Sequence, residues 1–176
     1  MDIISTKRLI LRPYNKGDFD AVHEYASNDE IVKYMLFGPN TYQETVNFVT
    51  RIIDFYYCEK PITNLEYAIE LNGSMVGGVS IHIDYDQKVG EMGWILNPIF
   101  HRQGIVSEAA EALKQYAISK FGLIKIIAKC DSRNIASQGV MRKIGMHKIC
   151  VEENTRIDKK TGIYEFHNLV YQIETL

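Results

Sequence analysis

The sequence contains no run of ~18 consecutive apolar residues, so no segment is expected to span a membrane. Nor does its N-terminus combine a basic flank, an apolar stretch and a small-residue cleavage site; Met1-Asp2 leads straight into "IISTKRLILRPY". Cysteine is sparse: Cys58, Cys130 and Cys150 are an odd count of 3 without CxxC spacing. That pattern reads as reduced thiols in a cytoplasmic protein rather than a disulfide frame. The five histidines, His23, His82, His101, His147 and His167, never pair at i, i+4 with a second ligand, so no metal is expected. Charge of one sign is lacking too. The balance is 20 − 22 = −2, which gives no basic field to recruit nucleic acid or an anionic membrane. Any anionic ligand must therefore be held by local geometry. With no linker, repeat or low-complexity segment, residues 1–176 read as one domain.

What is present is an ordinary globular balance, 46% hydrophobic and 24% charged. "TKRLILRPYN" reads as a first strand, with Pro13 near its exit. Asn15 to Ser27 reads as a capped helix with Phe19, Val22, His23 and Ala26 on its apolar side. Thr41 to Glu59 is the most aromatic segment. Val46, Val49, Ile53 and Tyr56 adjoin Phe48, Ile52 and Phe55 on a helical wheel, which predicts a helix wedged between two buried surfaces, or one whose edge walls a cleft. "NLEYAIEL", "SMVGGVSIHIDY" and "KVGEMGWIL" are strands, the first two joined at the hairpin signal Asn72-Gly73. Gly104 to Phe121 is a helix, "LIKIIAKC" a strand, and "NIASQGVMRKIGM" a second helix stopped at Gly145. Two strands, about Lys148–Glu153 and Tyr164–Ile173, flank the polar loop "NTRIDKKTGI". The order predicts an α/β fold with a mixed sheet, antiparallel in its first half. A right-handed parallel crossover should run from Met92 to Cys130.

One turn carries chemistry. "WILNPIFHRQGIVSEAAEAL" passes from strand to helix through a polar turn with a single glycine. A helix N-terminus leaves about four amides unpartnered and carries roughly half a positive charge. An open turn before it can gather amides around one anion. Gly104 lets a ligand approach the backbone. Gln103, Ile105, Val106 and Ser107 would supply amides, the Ser107 hydroxyl a further donor, and Arg102 charge. Ordinary strand–helix turns also carry one glycine and bind nothing, and Glu108 would compete for the same dipole.

"EMGWILNPIFHRQGIVSEAAEAL" followed by "CDSRNIASQGVMRKIGM" resembles the GNAT superfamily of N-acetyltransferases. The branch it most resembles is that of the RimJ and RimL ribosomal-protein N-terminal acetyltransferases. The likeness covers nearly the whole chain, from "STKRLILRPY" through the strand E-x-G-W-x-L-x-P to N-x-A-S and K-I-G-M. The family's turn, Gln/Arg-x-x-Gly-x-Gly/Ala, falls on His101 to Val106; only Gly104 matches outright, with His101 and Val106 departing from the pattern. The resemblance implies a GNAT-type, mostly antiparallel twisted sheet with a splayed central parallel strand pair and flanking helices. It also implies acetyl-CoA as co-substrate and a cytoplasmic enzyme, with a homodimer as the family's usual assembly. The splayed strand would be Gly93–Asn97, whose backbone at Ile95, Leu96 and Asn97 would pair with the pantetheine arm. Its neighbour would be Ile126–Cys130.

The implied reaction is attack of a neutral amine on the thioester, which needs a proton acceptor. Glu91, in the E-x-G slot, and His167, on the last strand, are the two candidates. Asn134 resembles the asparagine that contacts the pantetheine arm, though a helix N-cap explains it equally. Many family members place a tyrosine seven residues after that asparagine to assist the thiolate. Met141 stands there and cannot donate, which leaves Ser137, or a serine that merely bonds local backbone. A buried Cys130 thiol is not needed for direct transfer. The acceptor amine, a protein N-terminus or a small molecule, should enter a cleft walled by Met35–Tyr42, part of the aromatic helix and the loop Glu153–Tyr164. Tyr34, Phe37, Tyr42 and Tyr164 would line it and weigh against a highly cationic polyamine. A catalytically silent acetyl-CoA-binding module and an antibiotic or polyamine acetyltransferase remain as alternatives.

Overall fold

In the computed structural model, which describes residues 1–58, 61–158 and 161–175, eight strands form one sheet. The chain opens with β1 (Ile4–Ser5) and β2 (Leu9–Pro13), then α1 (Phe19–Ala26), α2 (Asp29–Val32) and α3 (Tyr42–Cys58). Next come β3 (Asn64–Leu71), β4 (Ser74–Asp84), β5 (Val89–Leu96), α4 (Ile105–Phe121) and β6 (Lys125–Asp131). α5 (Ile135–Lys143), β7 (His147–Ile157) and β8 (Tyr164–Glu174) close the chain. Sheet order is β1-β2-β3-β4-β5-β6-β8-β7. Every neighbouring pair is antiparallel except β5 and β6, which are joined by the expected crossover through α4.

The pleat sends alternate residues to opposite faces. Leu65, Tyr67 and Ile69 of β3, Val79 and Ile81 of β4, and Ile126 and Ala128 of β6 pack on Ala109, Ala110, Leu113 and Ala117 of α4 and on Met141 of α5. Each large aliphatic side chain fully buried there contributes roughly 1.5–3 kcal/mol. The opposite face is covered over only part of its width, where Val22, Tyr25 and Ala26 of α1 and Val49 of α3 meet Tyr14 and Ala68. That incomplete cover leaves the site open.

Several elements differ from expectation. The first strand is shorter than expected, Leu9–Pro13, and an unforeseen two-residue β1 before it pairs with β2 because Thr6 turns the chain back onto Leu9. Asn15 does cap, but it caps the 3-10 turn Lys16–Asp18 that precedes α1. In α1 the buried face is Val22, Tyr25 and Ala26 rather than one including His23. α3 is not wedged between two surfaces: Thr45 and Val49 are buried, whereas Phe48, Ile52 and Ile53 are only partly covered. Glu59, the expected end of that helix, and the side chains of Tyr56 and Cys58 lie outside what is described. β7 runs to Ile157, through residues expected to be loop, because it keeps pairing with β8 across several register shifts. Gly145, with φ +85°, stops α5 as expected.

Candidate functional site

β5 and β6 pair over four residues only, from Val89↔Lys125 to Met92↔Ala128. Beyond Met92, β5 keeps its β4 partners (Ser80↔Gly93 to Gly77↔Leu96) but leaves its other edge unpaired. The splay begins at Gly93, as the resemblance implied. It is narrower on the β6 side, where Ile126 to Ala128 are still paired and the gap is faced by Lys129 to Asp131. A cleft of about 610 Å³ lies at this gap, lined by Gly93, Trp94 and Ile95 on one side and by Lys129 and Cys130 on the other. Burial pushes the Cys130 thiol up to about 11, the direction that makes a thiol less nucleophilic.

The turn at the end of β5 leads into α4. Gly104 is its N-cap with φ +75°, a left-handed conformation that leaves the helix without a side-chain cap. The amides of Ile105, Val106 and Ser107 therefore have no protein acceptor among the described residues. Arg102 also takes a left-handed conformation, φ +61°, and is exposed. Gln103 folds back, its side-chain amide donating weakly to the Ile99 carbonyl at 3.4 Å. His101 braces the turn through Nε2, 3.1 Å from the Leu96 carbonyl. Glu108 does not compete for the dipole. Its carboxylate accepts from Thr6 Oγ1 (2.6 Å) and from Arg8 Nε (2.7 Å). These partners outweigh its partial burial and hold its pKa below the usual range. A Cβ on Gly104 would lie 3.3 Å from Lys143 Nζ and 3.7 Å from the Arg8 guanidinium. Two cations that the sequence reading missed thus flank the turn; they come from a distant loop and from α5, and only the fold brings them there.

The other expected residues divide. Asn134 lines the cleft and is also the N-cap of α5, its Oδ1 accepting the Ser137 amide at 3.0 Å. Ser137 lines the cleft too, and its hydroxyl bonds no group among the described residues. Glu91 lies at the exposed rim of the cleft, where its charge acts on Lys129. Asn97 is not available to a ligand through its side chain, because Nδ2 donates to Glu24 at 2.8 Å and Oδ1 accepts the Ile99 amide. His167 is not brought to the cleft. Its neighbour Asn168 lines it, so pleating turns His167 away, and its Nδ1 accepts the Asn154 amide at 3.1 Å. Met141 is 1% exposed in the core behind α5, so that helical position does not face the site at all.

On the acceptor side, Tyr34, Phe37 and Phe48 wall the cleft as expected, joined by Arg51. Tyr42 does not: its hydroxyl donates to Asp20 at 2.8 Å and its ring meets His23 edge-on. Tyr164 is 63% exposed on the β7–β8 hairpin and is likewise absent from the lining. Thr155 and Arg156 contribute instead, from the unforeseen extension of β7. On that wall Lys129 pairs with the Glu152 carboxylate at 2.8 Å, and Arg156 donates to the side-chain oxygen of Asn168.

Three further residues escaped the sequence reading. Tyr14, Tyr25 and Glu66 all line the cleft, on the face opposite the main core. The Tyr14 hydroxyl fills the space a side chain on Gly78 would need. The buried Tyr25 hydroxyl makes no well-formed hydrogen bond among the described residues, with the Tyr14 hydroxyl a polar neighbour. Burial pushes the Glu66 carboxyl up to about 7, with Arg51 opposing the shift.

The family model described as an acetyltransferase (GNAT) domain matches residues 8–147. The chain is 32% identical over 147 residues to the uncharacterized N-acetyltransferase YnaD of Bacillus subtilis (strain 168), an alignment covering 82% of each protein. It superimposes on a GNAT-family acetyltransferase from Bacillus anthracis with TM-score 0.84, 30% identity and 98% of both chains covered. RimL, a ribosomal alpha-N-protein acetyltransferase solved in complex with coenzyme A, shares the fold at TM-score 0.84 and 22% identity over 98% of each chain.

Proposed function

This chain belongs to the GNAT acetyltransferase family, and from that premise we propose that it moves the acetyl group of acetyl-CoA to a primary amine by direct attack in a ternary complex. The observation that carries this reading is that an unpaired strand edge and an uncapped helix N-terminus lie at the two ends of one turn. The free N–H and C=O groups of β5 beyond Met92 suit the amides of a pantetheine arm, as a peptide augments a sheet edge. The Ile105 to Ser107 amides, with Arg102, Arg8 and Lys143, suit the diphosphate. The thioester then comes near Gly93, where the gap closes, beside Asn134 and Ser137. Holding amine and thioester together there lowers the entropic part of the barrier.

The acceptor enters past Tyr34, Phe37 and Phe48. Aromatic walls, and charges already balanced by Lys129 with Glu152, favour a single amine on a partly apolar body over a polyamine. An N-terminal peptide or a small amine both meet that description. Free-thiol release from acetyl-CoA, measured across N-terminal peptides, monoamines and polyamines, tests the reading. Turnover is expected with peptides or monoamines. If calorimetry shows acetyl-CoA bound while no amine releases thiol, the chain is a binding module and the catalytic reading is wrong.

A further inference from the structure

Glu66 occupies a place that neither cofactor binding nor packing explains. It stands on β3 opposite Ser80 of β4, which in turn stands opposite Gly93 of β5. The three form one row across the sheet, on the cleft side. Adjacent strands lie about 4.8 Å apart, so Glu66 and Gly93 backbones are separated by roughly 10 Å. The space between is open, since Gly93 has no side chain and the Ser80 hydroxyl would be 3.2 Å from a Cβ placed there. Glu66 also touches a second cavity of about 30 Å³, behind the cleft, which Tyr14 and Asn64 share. That is room for about one water with polar partners. Asn64 leads outward, its Oδ1 lying 2.8 Å from Nδ1 of His82.

We propose that Glu66 accepts the proton of the acceptor amine, through the Ser80 hydroxyl or one water, and passes it to solvent by way of the small cavity. The inference rests on the acetyl-transfer reading and deepens it. The ammonium form of the acceptor gives one proton to the Glu66 carboxylate and becomes a neutral amine. Its lone pair forms the C–N bond, the C–S bond breaks, and sulfur leaves with the bonding pair. The second nitrogen proton goes to that sulfur to give the coenzyme A thiol, and the proton on Glu66 departs to water.

The groups facing Glu66 fit the role. Arg51 of α3 acts on it from a distance and forms no ion pair with it among the described residues. Tyr14 and Tyr25 are held well above the ordinary tyrosine range by burial and stay protonated. Across the cleft, Glu91 is exposed and faces Lys129. Burial pushes the Glu66 carboxyl up to about 7, in the range where a proton acceptor works best.

The test is Glu66→Gln, compared with the wild-type enzyme in thiol release with an accepted amine. Wild-type turnover by itself settles whether transfer occurs. The variant should lose roughly 100-fold or more in kcat at neutral pH, keep its KM for acetyl-CoA, and lose the inflection near pH 7. A higher acceptor KM with unchanged kcat would make Glu66 an ammonium-binding group and overturn the proposal, as would an unaltered pH profile. Carbon-13 NMR of the carboxyl in the wild-type protein needs no activity. A Glu66 signal titrating near pH 7 is expected; one titrating near the ordinary glutamate range overturns the proposal even should the variant not fold.

Discussion

Ser137 shows how much hangs on the direction of one side chain. Its amide is spent on the Asn134 cap, while the residue lines the cleft with a hydroxyl that bonds no group among the described residues. A hydroxyl near the sulfur helps mainly as charge builds there. Ser137→Ala should therefore lower kcat by about 10- to 100-fold, with the KM for acetyl-CoA nearly unchanged. A rise confined to that KM would make the serine a binding contact; a loss of melting temperature alone would make it part of the helix start. Met141→Tyr offers no rescue. That position is in the core, where added bulk costs typically 1–3 kcal/mol. Legibility at this scale followed a single variable. The placement of Gly104, Asn134 and Ser137 was readable because each stands at a helix start. Glu66 was not: "NLEYAIEL" alternates cleanly, and alternation cannot show that the polar face will also be covered by helices. His167 failed for the kindred reason that one step of register exchanges it with Asn168.

At the scale of elements, the start of α4 is kept uncapped by a strap from the far end of the chain. Arg8 and Thr6 hold Glu108 off the helix N-terminus, and Arg8 Nη1 also donates to the Gln103 carbonyl at 3.1 Å. Arg8→Ala should release Glu108 toward the amides it would otherwise leave to a diphosphate. Acetyl-CoA affinity by calorimetry should fall about 10-fold, the scale of one partly buried charge at a helix end, and Arg8→Ala combined with Glu108→Gln should recover part of it. No recovery would show that Arg8 acts on the ligand directly. Most elements were readable because hairpin signals and helix stops are local, as at Asn72-Gly73 and Gly145. The tail of β7 was not. Asn154, Thr155 and Arg156 have loop character by themselves, and only pairing with β8 extends them.

For the whole molecule, the raised Glu66 pKa fixes a pH dependence of stability. The folded carboxyl keeps its proton up to about pH 7, whereas an unfolded glutamate loses it near 4.3. Within that window the folded chain binds more protons, so stability falls as pH rises and levels off above it. Glu66→Gln carries no such proton. Its melting temperature should exceed that of the wild type by roughly 2–4 °C at pH 8, the equivalent of about 1 kcal/mol for a chain this size, and the gap should close below about pH 4. Parallel curves would mean that the carboxyl is not desolvated in solution. The short β5–β6 pairing has a mechanical reading as well. The sheet is a beam notched almost at its middle, with β1 to β5 on one side and β6, β8 and β7 on the other, joined along the backbone by four residue pairs. A slender molecule laid in the notch restores the missing rungs, and at a concentration of 100 Kd it adds about 2.7 kcal/mol to the folded state. On the proposed reading the co-substrate doubles as a splint, laid along the seam where the sheet has few rungs of its own.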